Sequence, residues 1–329
     1  MINHKKFVSR LQNHRHSIDE LCKLFKAEPE EVQEKINSLT NNVSLDIRQQ
    51  NDIITYHINT LPEIGNVFHI SDSDKKYRRM DFGAISDLHF ASKYHLPKTF
   101  DETMNKFKQK GITRVYVAGD IIDGVNIYKG HLENIIATTV DDQTDIAAEA
   151  LSKHPDLEFW GISGNHDYSF TKQNGVRPLA ILERKIDNFK NLGDLRADVV
   201  YHGIKIRLVH GGSGRAYAKS YPSQTYLRDL FGGMEKEDLK KLPHIILLGH
   251  YHTLYNGKDH GIHIIQPTSF QDSDNEYCIR KGLTGPNGGY HIMFRYKEGV
   301  IDEFNTSFFQ PKIQIKEKGE HHRRNTKKY

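Results

Sequence analysis

Asp81-Phe82-Gly83-Ala84-Ile85-Ser86-Asp87-Leu88-His89 decides the fold. Its first six residues form a mostly apolar run of strand length, and the run ends in a carboxylate and an imidazole two positions apart. The same construction recurs downstream. Thr113-Arg114-Val115-Tyr116-Val117-Ala118 leads into Gly119-Asp120-Ile121-Ile122-Asp123, and Leu157-Glu158-Phe159-Trp160-Gly161-Ile162 leads towards Gly164-Asn165-His166-Asp167. Val199 to Val209 holds two strand-like runs around His202-Gly203, the second ending at His210-Gly211. His244-Ile245-Ile246-Leu247-Leu248 leads into Gly249-His250-Tyr251-His252. Five polar clusters therefore sit where a strand gives way to a loop. In open α/β sheets ligands bind outside the carboxyl ends of the strands, so the five ends can converge on one crevice.

The clusters supply carboxylate oxygen, amide oxygen and imidazole nitrogen, a mixture that suits a pair of divalent transition ions. Two such ions about 3.5–4 Å apart make a nucleophile from water and clamp a phosphoryl group in line with it. Taken singly, each cluster has an ordinary reading. His89 or His210 alone is a partly buried, hydrogen-bonded histidine. Asp120 and Asp123 alone are helix caps or turn formers, and Asn165-His166-Asp167 alone is a polar turn. All five in order, each after a strand, make the structural-only reading the weaker one.

The ordered set resembles the calcineurin-like metallophosphoesterase superfamily, whose pattern is D-x-H, G-D-x-x-D, G-N-H-[DE], H and G-H-x-H. The resemblance implies an α/β fold, a four-layer α-β-β-α sandwich of two mixed β-sheets flanked by helices, over residues 81–310. It implies one ion held by Asp87, His89, Asp120 and His252 and a second held by Asp120, Asn165, His210 and His250, with Asp120 bridging. Manganese is the favoured metal, with iron or zinc as alternatives. His166 matches the family's non-ligand histidine, expected to protonate the leaving oxygen or stabilise the phosphoryl charge, with Asp167 orienting it and holding it cationic. Asp123 is expected to support a ligand by hydrogen bonding. The implied reaction is phosphoester hydrolysis by a hydroxide bridging the two ions, with His166 assisting departure.

The favoured substrate is nucleic acid, making the chain a DNA nuclease or phosphodiesterase. Three features carry that expectation: the His166-Asp167 pair, the N-terminal region and the C-terminal tail. A phosphatase or cyclic-nucleotide phosphodiesterase is the alternative. A DNA-binding accessory subunit that retains the fold, as in small subunits of some replicative polymerases, is the second. Between His210 and His250, Gly211-Gly212-Ser213-Gly214-Arg215 is a loop in which Arg215 is the candidate for pairing with substrate phosphate. Tyr226, Leu227, Leu230 and Phe231 are read as the buried face of one surface helix rather than as base-stacking rings.

The first 62 residues form a separate unit. Ser17-Ile18-Asp19-Glu20 is a capping box, and Ile18, Leu21, Cys22 and Phe25 recur at helical spacing. Pro29 opens a second helix lined by Val32, Ile36 and Leu39, which Asn41-Asn42 ends. Val43 to Ile47 and Ile53 to Ile58 then alternate as strands around Gln49-Gln50-Asn51-Asp52. This order resembles a winged helix-turn-helix. Glu30, Glu31 and Glu34 on the prospective recognition helix oppose groove entry, so contact with nucleic acid and a docking or homodimer role are both open. Residues 63–80 read as a polar linker.

Residues 311–329 carry seven Lys or Arg against two Glu, giving +5, so the remainder nets −1 within a total of +4. Such a tail is expected to be disordered, serving either solubility or attachment to a polyanion such as nucleic acid. No apolar run approaches the roughly 20 residues that span a bilayer. The start, Met1-Ile2-Asn3-His4-Lys5-Lys6-Phe7, lacks the apolar centre of a signal peptide. Cys22 and Cys278 form no framework, and the expected location is cytoplasmic with no membrane partner.

Overall fold

The computed structural model describes residues 7, 16–40, 46–50, 53–57, 67–70, 78–212, 218–232, 242–273, 279, 285–297 and 299–311. The chain divides into two compact units, Met1–Ile64 and Gly65–Tyr329.

In the first unit, β1 (His16–Ser17) precedes α1 (Ile18–Phe25), α2 (Pro29–Thr40), β2 (Asp46–Gln50) and β3 (Ile53–His57). The capping box forms as the sequence requires: Ser17 Oγ accepts the Glu20 amide at 3.2 Å, and Glu20 Oε2 accepts the Ser17 amide at 3.1 Å. Leu21 and Val32 are fully buried, and Phe7 packs on Phe25 with ring centroids 5.0 Å apart. Two details differ from expectation. Gln49 and Gln50 lie in β2 rather than in the turn, and β1 adds a third antiparallel strand by pairing His16 with Ile54 and Ser17 with Ile53. Two residues are too few to show a period. Residues 41–45 fall outside the described ones, and the likeness to a winged helix-turn-helix stays an expectation.

The second unit is built on two six-stranded mixed sheets. One runs β15 (Val300–Phe309), β14 (Gly289–Lys297), β5 (Arg78–Ile85), β6 (Arg114–Val117), β7 (Glu158–Ser163), β8 (Phe189–Asp194), with β5 to β8 parallel. The other runs β12 (Tyr255–Asp259), β13 (Ile262–Gln266), β11 (Ile245–Gly249), β10 (Ile204–His210), β9 (Arg196–Tyr201), β4 (Val67–Ile70), with β10, β11 and β13 parallel. Alternation along the strands sorts three layers of core. Phe82, Ala84, Ile162, Ile292 and Phe294 of the first sheet meet Val199, Ile206, Leu208, Ile245 and Leu247 of the second.

The outer face of the first sheet, with Val115, Val117 and Phe159, packs under Phe100, Met104 and Phe107 of α3 (Pro97–Gln109) and Ala147 and Leu151 of α4 (Val140–Ser152). The outer face of the second, with Val209, Ile246 and Leu248, packs under Leu227 of α7 (Tyr221–Gly232). Two further helices among the described residues are α5 (Asn165–Asn174) and α6 (Pro178–Lys185). Central parallel strands are covered on both faces, which is why their sequences read as unbroken apolar runs. Each fully buried Leu, Ile, Val or Phe contributes roughly 1.5–3 kcal/mol. The layering is the expected α-β-β-α sandwich.

Residues 63–80 are not simply a linker. Val67–Ile70 pairs in parallel with Asp198 to Tyr201 at the edge of the second sheet, and Arg78 to Met80 open β5. Phe68 meets the edge of the Trp160 ring at 6.2 Å. A four-residue strand whose partner lies about 130 positions downstream leaves no local sequence signature.

Candidate metal centre

The carboxyl ends of β5, β6, β7, β10 and β11 meet, and the first two motifs are zipped by backbone. The Asp87 amide donates to Gly119 O at 3.0 Å, His89 to Asp120 O at 3.0 Å, Phe90 to Ile121 O at 2.9 Å and Asp123 back to Phe90 O at 2.8 Å. Asp87, His89, Asp120, His250 and His252 all hold positive φ, between 49° and 90°. This left-handed region costs a residue with a Cβ of order 1–3 kcal/mol and collects at functional sites. Gly119, at φ 91°, lets the chain pass against the His210 ring, which a Cβ would overlap. Gly164 lies against the backbone and carboxylate of Asp120 just as closely.

Among the described residues, ligand atoms gather within 4.8 Å in three groups: Asp87, His89 and His252; Asp120, His210 and His250; and His89, Asp123 and His166. In the first group Asp87 Oδ1 lies 3.2 Å from His252 Nε2, and the Nε2 atoms of His89 and His252 face each other at 3.1 Å. In the second, Asp120 Oδ2 lies 3.1 Å from His210 Nε2, while Asn165 Oδ1 lies 3.0 Å from His210 Nε2 and 2.8 Å from His250 Nδ1. Asp120 Oδ2 is also 4.0 Å from His89 Nε2, so one oxygen borders both groups. All seven expected ligands, Asn165 included, are brought together.

The donor set fits divalent cations. Asp87 Oδ1 is buried with no hydrogen-bond partner. His89 uses its Nδ1–H on Asp123 Oδ1 at 2.7 Å, and His210 uses its Nδ1–H on Ala118 O at 2.8 Å. Their Nε2 lone pairs are thereby aimed at the centre, the tautomer that ligating histidines require. Lone pairs of His89 and His252 facing at 3.1 Å repel unless a proton or a cation lies between them.

The electrostatics agree. Burial opposes ionisation of Asp87, yet the nearby His252 and His210 hold it down at about 2, and Asp120 is held well below the carboxylate range by His210 and His166. Burial opposes protonation of His210, but Asp120 overrides it and pushes the ring up to about 9. Burial and the neighbouring His210 push His250 down to about 4. Protons held at such a centre are the ones a cation displaces.

His166 belongs to neither of the first two groups. Its Nδ1–H donates to the Asp123 carbonyl at 2.6 Å and lies 3.5 Å from Asp123 Oδ1, and its amide donates to Asp120 Oδ1 at 2.8 Å. Burial opposes its protonation, but Asp120 and Asp123 push it up to about 9. Asp167 does not orient it, which corrects the expectation from sequence. The Asp167 carboxylate turns back onto amides of Gly164 (2.7 Å), Ile121 (3.1 Å) and Ile122 (2.9 Å). The reason is its place in the first turn of α5, where its carboxylate satisfies the unpaired Gly164 amide at the helix start, while the loop after β6 brings the Ile121 and Ile122 amides to the same carboxylate. Burial and the charge of Asp120 outweigh those three bonds and push it up to about 7. The carboxylate beside His166 belongs to Asp123, which bonds His89 as expected.

Sequence reasoning missed His131, at the start of a short 3₁₀ turn (His131–Asn134). It is buried, with Nε2 3.4 Å from Asp123 Oδ2 and its ring 5.5 Å from that of His166. It lies eight positions beyond the nearest motif, and only folding places it. Arg215 falls outside the described residues. Leu227 is buried in α7 and Tyr226, Leu230 and Phe231 pack partly buried beside it, the packing role expected.

Residues 80–282 match the profile described as "Calcineurin-like phosphoesterase". The DNA polymerase II small subunit of Archaeoglobus fulgidus is 25% identical over 272 residues, covering 70% of this chain and 54% of that protein. That of Halobacterium salinarum is 24% identical over 254 residues, covering 65% and 49%. The chain thus spans about half the length of these curated relatives. Among solved structures, one described as a novel archaeal phosphodiesterase shares 15% identity over 70% of this chain and 100% of its own, at a TM-score of 0.40. Since the matched profile covers more than half of the residues, the chain belongs to the calcineurin-like phosphoesterase family.

Proposed function

We propose that this chain is a metal-dependent phosphodiesterase acting on nucleic acid. The observation that carries the reading is the pair of ligand groups sharing Asp120, with every ligand type the chemistry needs. Asp87, His89, Asp120 and His252 would hold one divalent ion, and Asp120, Asn165, His210 and His250 the other. Such ions supply Lewis-acid polarisation of phosphoryl oxygens and activation of water at neutral pH.

The remaining work falls to the chain's own side chains. Asn165 contributes a neutral oxygen, which limits negative charge where an anionic phosphodiester must approach. His166, bonded through Nδ1 to the Asp123 carbonyl, keeps Nε2 available to hand a proton to the departing ester oxygen. Asp123 fixes both His89 and His166. Asp167 ties the loop at Gly164 to the loop at Ile121. Arg215 is the proposed partner for a substrate phosphate, and manganese is the favoured metal.

Nucleic acid is favoured as substrate because the relatives are named DNA polymerase II small subunits and because residues 311–329 carry +5. The same names favour a second reading, an accessory subunit docked on a larger polymerase chain, with residues 1–62 as the docking or nucleic-acid-binding unit. Hydrolysis of single-stranded DNA, duplex DNA, bis-p-nitrophenyl phosphate and p-nitrophenyl phosphate, measured with manganese, separates these. Preference for the monoester removes the phosphodiesterase reading. Metal content near zero together with no turnover leaves the accessory role.

A further inference from the structure

Asp123 is the junction of the centre. Oδ1 accepts the His89 Nδ1–H at 2.7 Å and lies 3.5 Å from His166 Nδ1, while Oδ2 points the other way. There it meets His131 Nε2 at 3.4 Å, and both of these atoms are buried without a hydrogen-bond partner. The approach, at 3.4 Å, stops short of hydrogen-bond geometry. His131 Nδ1 accepts the Ile127 amide at 3.4 Å, which puts the ring hydrogen on Nε2, facing the carboxylate. The ring is itself held: Tyr128 packs on it at 4.7 Å, Tyr128 O accepts its amide at 3.1 Å, and Asn134 Nδ2 donates to the Tyr128 hydroxyl at 3.1 Å. A loop outside every motif thus presents one imidazole, edge-on to His166, to the free oxygen of the carboxylate.

We infer that His131 is a positioning residue: its Nε2–H anchors Asp123 Oδ2 so that Oδ1 stays on His89 and His166. A carboxylate held at one oxygen only can rotate about χ2, and terminal torsions of this kind have broad, soft wells. Fixing the second oxygen removes that freedom. His131 then acts at a distance on two functions, the aim of the His89 lone pair and the placement of the proton that His166 gives to the leaving group. The second function rests on the phosphodiesterase reading, whereas the first does not.

The test uses the full chain with His131→Phe, which keeps a flat ring but no donor, and His131→Gln, which keeps a donor. In metal-free protein, the Nδ1–H proton and nitrogen resonances of His89 and His166 should shift or broaden in His131→Phe and stay close to wild type in His131→Gln. The ring of His154, bonded instead to Asp101 at 2.9 Å, should not move in either. Unmoved His89 and His166 signals in His131→Phe overturn the inference, as do changes that reach His154 equally.

Turnover supplies a second readout. Proton donation matters to a departing alkoxide and little to p-nitrophenolate, and it is worth about 100-fold or more when lost entirely. His131→Phe should therefore cut kcat on a dinucleotide by about 10-fold or more and on bis-p-nitrophenyl phosphate by much less. Equal losses on both esters count against the inference. Wild-type protein that hydrolyses neither ester refutes the phosphodiesterase reading instead, and the resonances of His89 then decide the case for His131.

Discussion

Asp123→Ala should weaken one cation site and spare the other. His89 is aimed by Asp123 Oδ1, 2.7 Å from its Nδ1, whereas His210 is aimed by the Ala118 carbonyl, 2.8 Å from its Nδ1. The two ligating imidazoles therefore draw their orientation from different atoms. Removing the partner behind a ligating histidine lowers metal affinity about 10–100-fold. At 1.4 kcal/mol per decade this is roughly 1.4–2.8 kcal/mol at the site of Asp87, His89 and His252. The site of Asp120, His210 and His250 keeps its supports. Asp123→Asn retains an acceptor and loses the charge, so its effect should lie at the lower end. Calorimetric titration of metal-stripped protein with manganese should resolve two steps in the wild type, of which Asp123→Ala weakens one. Two sites that weaken together, or neither by more than about 3-fold, would refute the division of the centre into two separately supported halves.

Asp198→Ala should destabilise the second unit by about 3–5 kcal/mol in urea unfolding, because it strands the buried Arg207 guanidinium now held at 2.6 and 2.7 Å; Asp198→Leu with Arg207→Met should recover most of that loss. Gly164→Ala drives a Cβ into Asp120 and should cost about 1–3 kcal/mol of stability along with manganese binding, read by melting and metal analysis. Burial, aided by Lys258, pushes His263 down from 6.5 to about 4, so the unfolded chain takes up this proton first. Its contribution is complete above pH 6.5, declines as pH falls towards 4 and levels off below. His263→Phe, which keeps the stack on Phe304 at 3.7 Å, should flatten the fall in stability between pH 6.5 and 4 relative to wild type.

The strands that bear the site were legible because burial on both faces leaves unbroken apolar runs, as in His244 to Leu248, and the ligand residues follow directly at their ends. Ser17 and Glu20 were legible because a capping box is a local bargain between residues three apart. What escaped was set by distance. Val67–Ile70 is a strand only because Asp198 to Tyr201 lies alongside it. Asp167 reads as the natural support for its neighbour His166, but the first turn of α5 and the loop after β6 give it three amides that a sequence motif does not display. His131 belongs to no motif and reaches Asp123 only through the path of the 124–131 loop.

Two kinds of force assemble the site. Asp87, His89 and Asp120 are set by strands of the first sheet and by the amide zipper between their loops, with each of those bonds worth about 0.5–1.5 kcal/mol net. That zipper offsets part of the strain of three left-handed residues within it. His210, His250 and His252 come from the second sheet. What registers them against the first is the apolar layer between Phe82, Phe294, Leu208 and Leu247, plus the His250 amide on Asp87 Oδ2 at 3.0 Å. Asp120 Oδ2, bordering His89 of one sheet and His210 of the other, sits across that seam. The spacing of the two ligand groups is therefore a property of how the sheets pack. A close-packed core behind the ligands holds the His89 and His252 Nε2 atoms 3.1 Å apart, a separation that a shared proton or a cation between them satisfies.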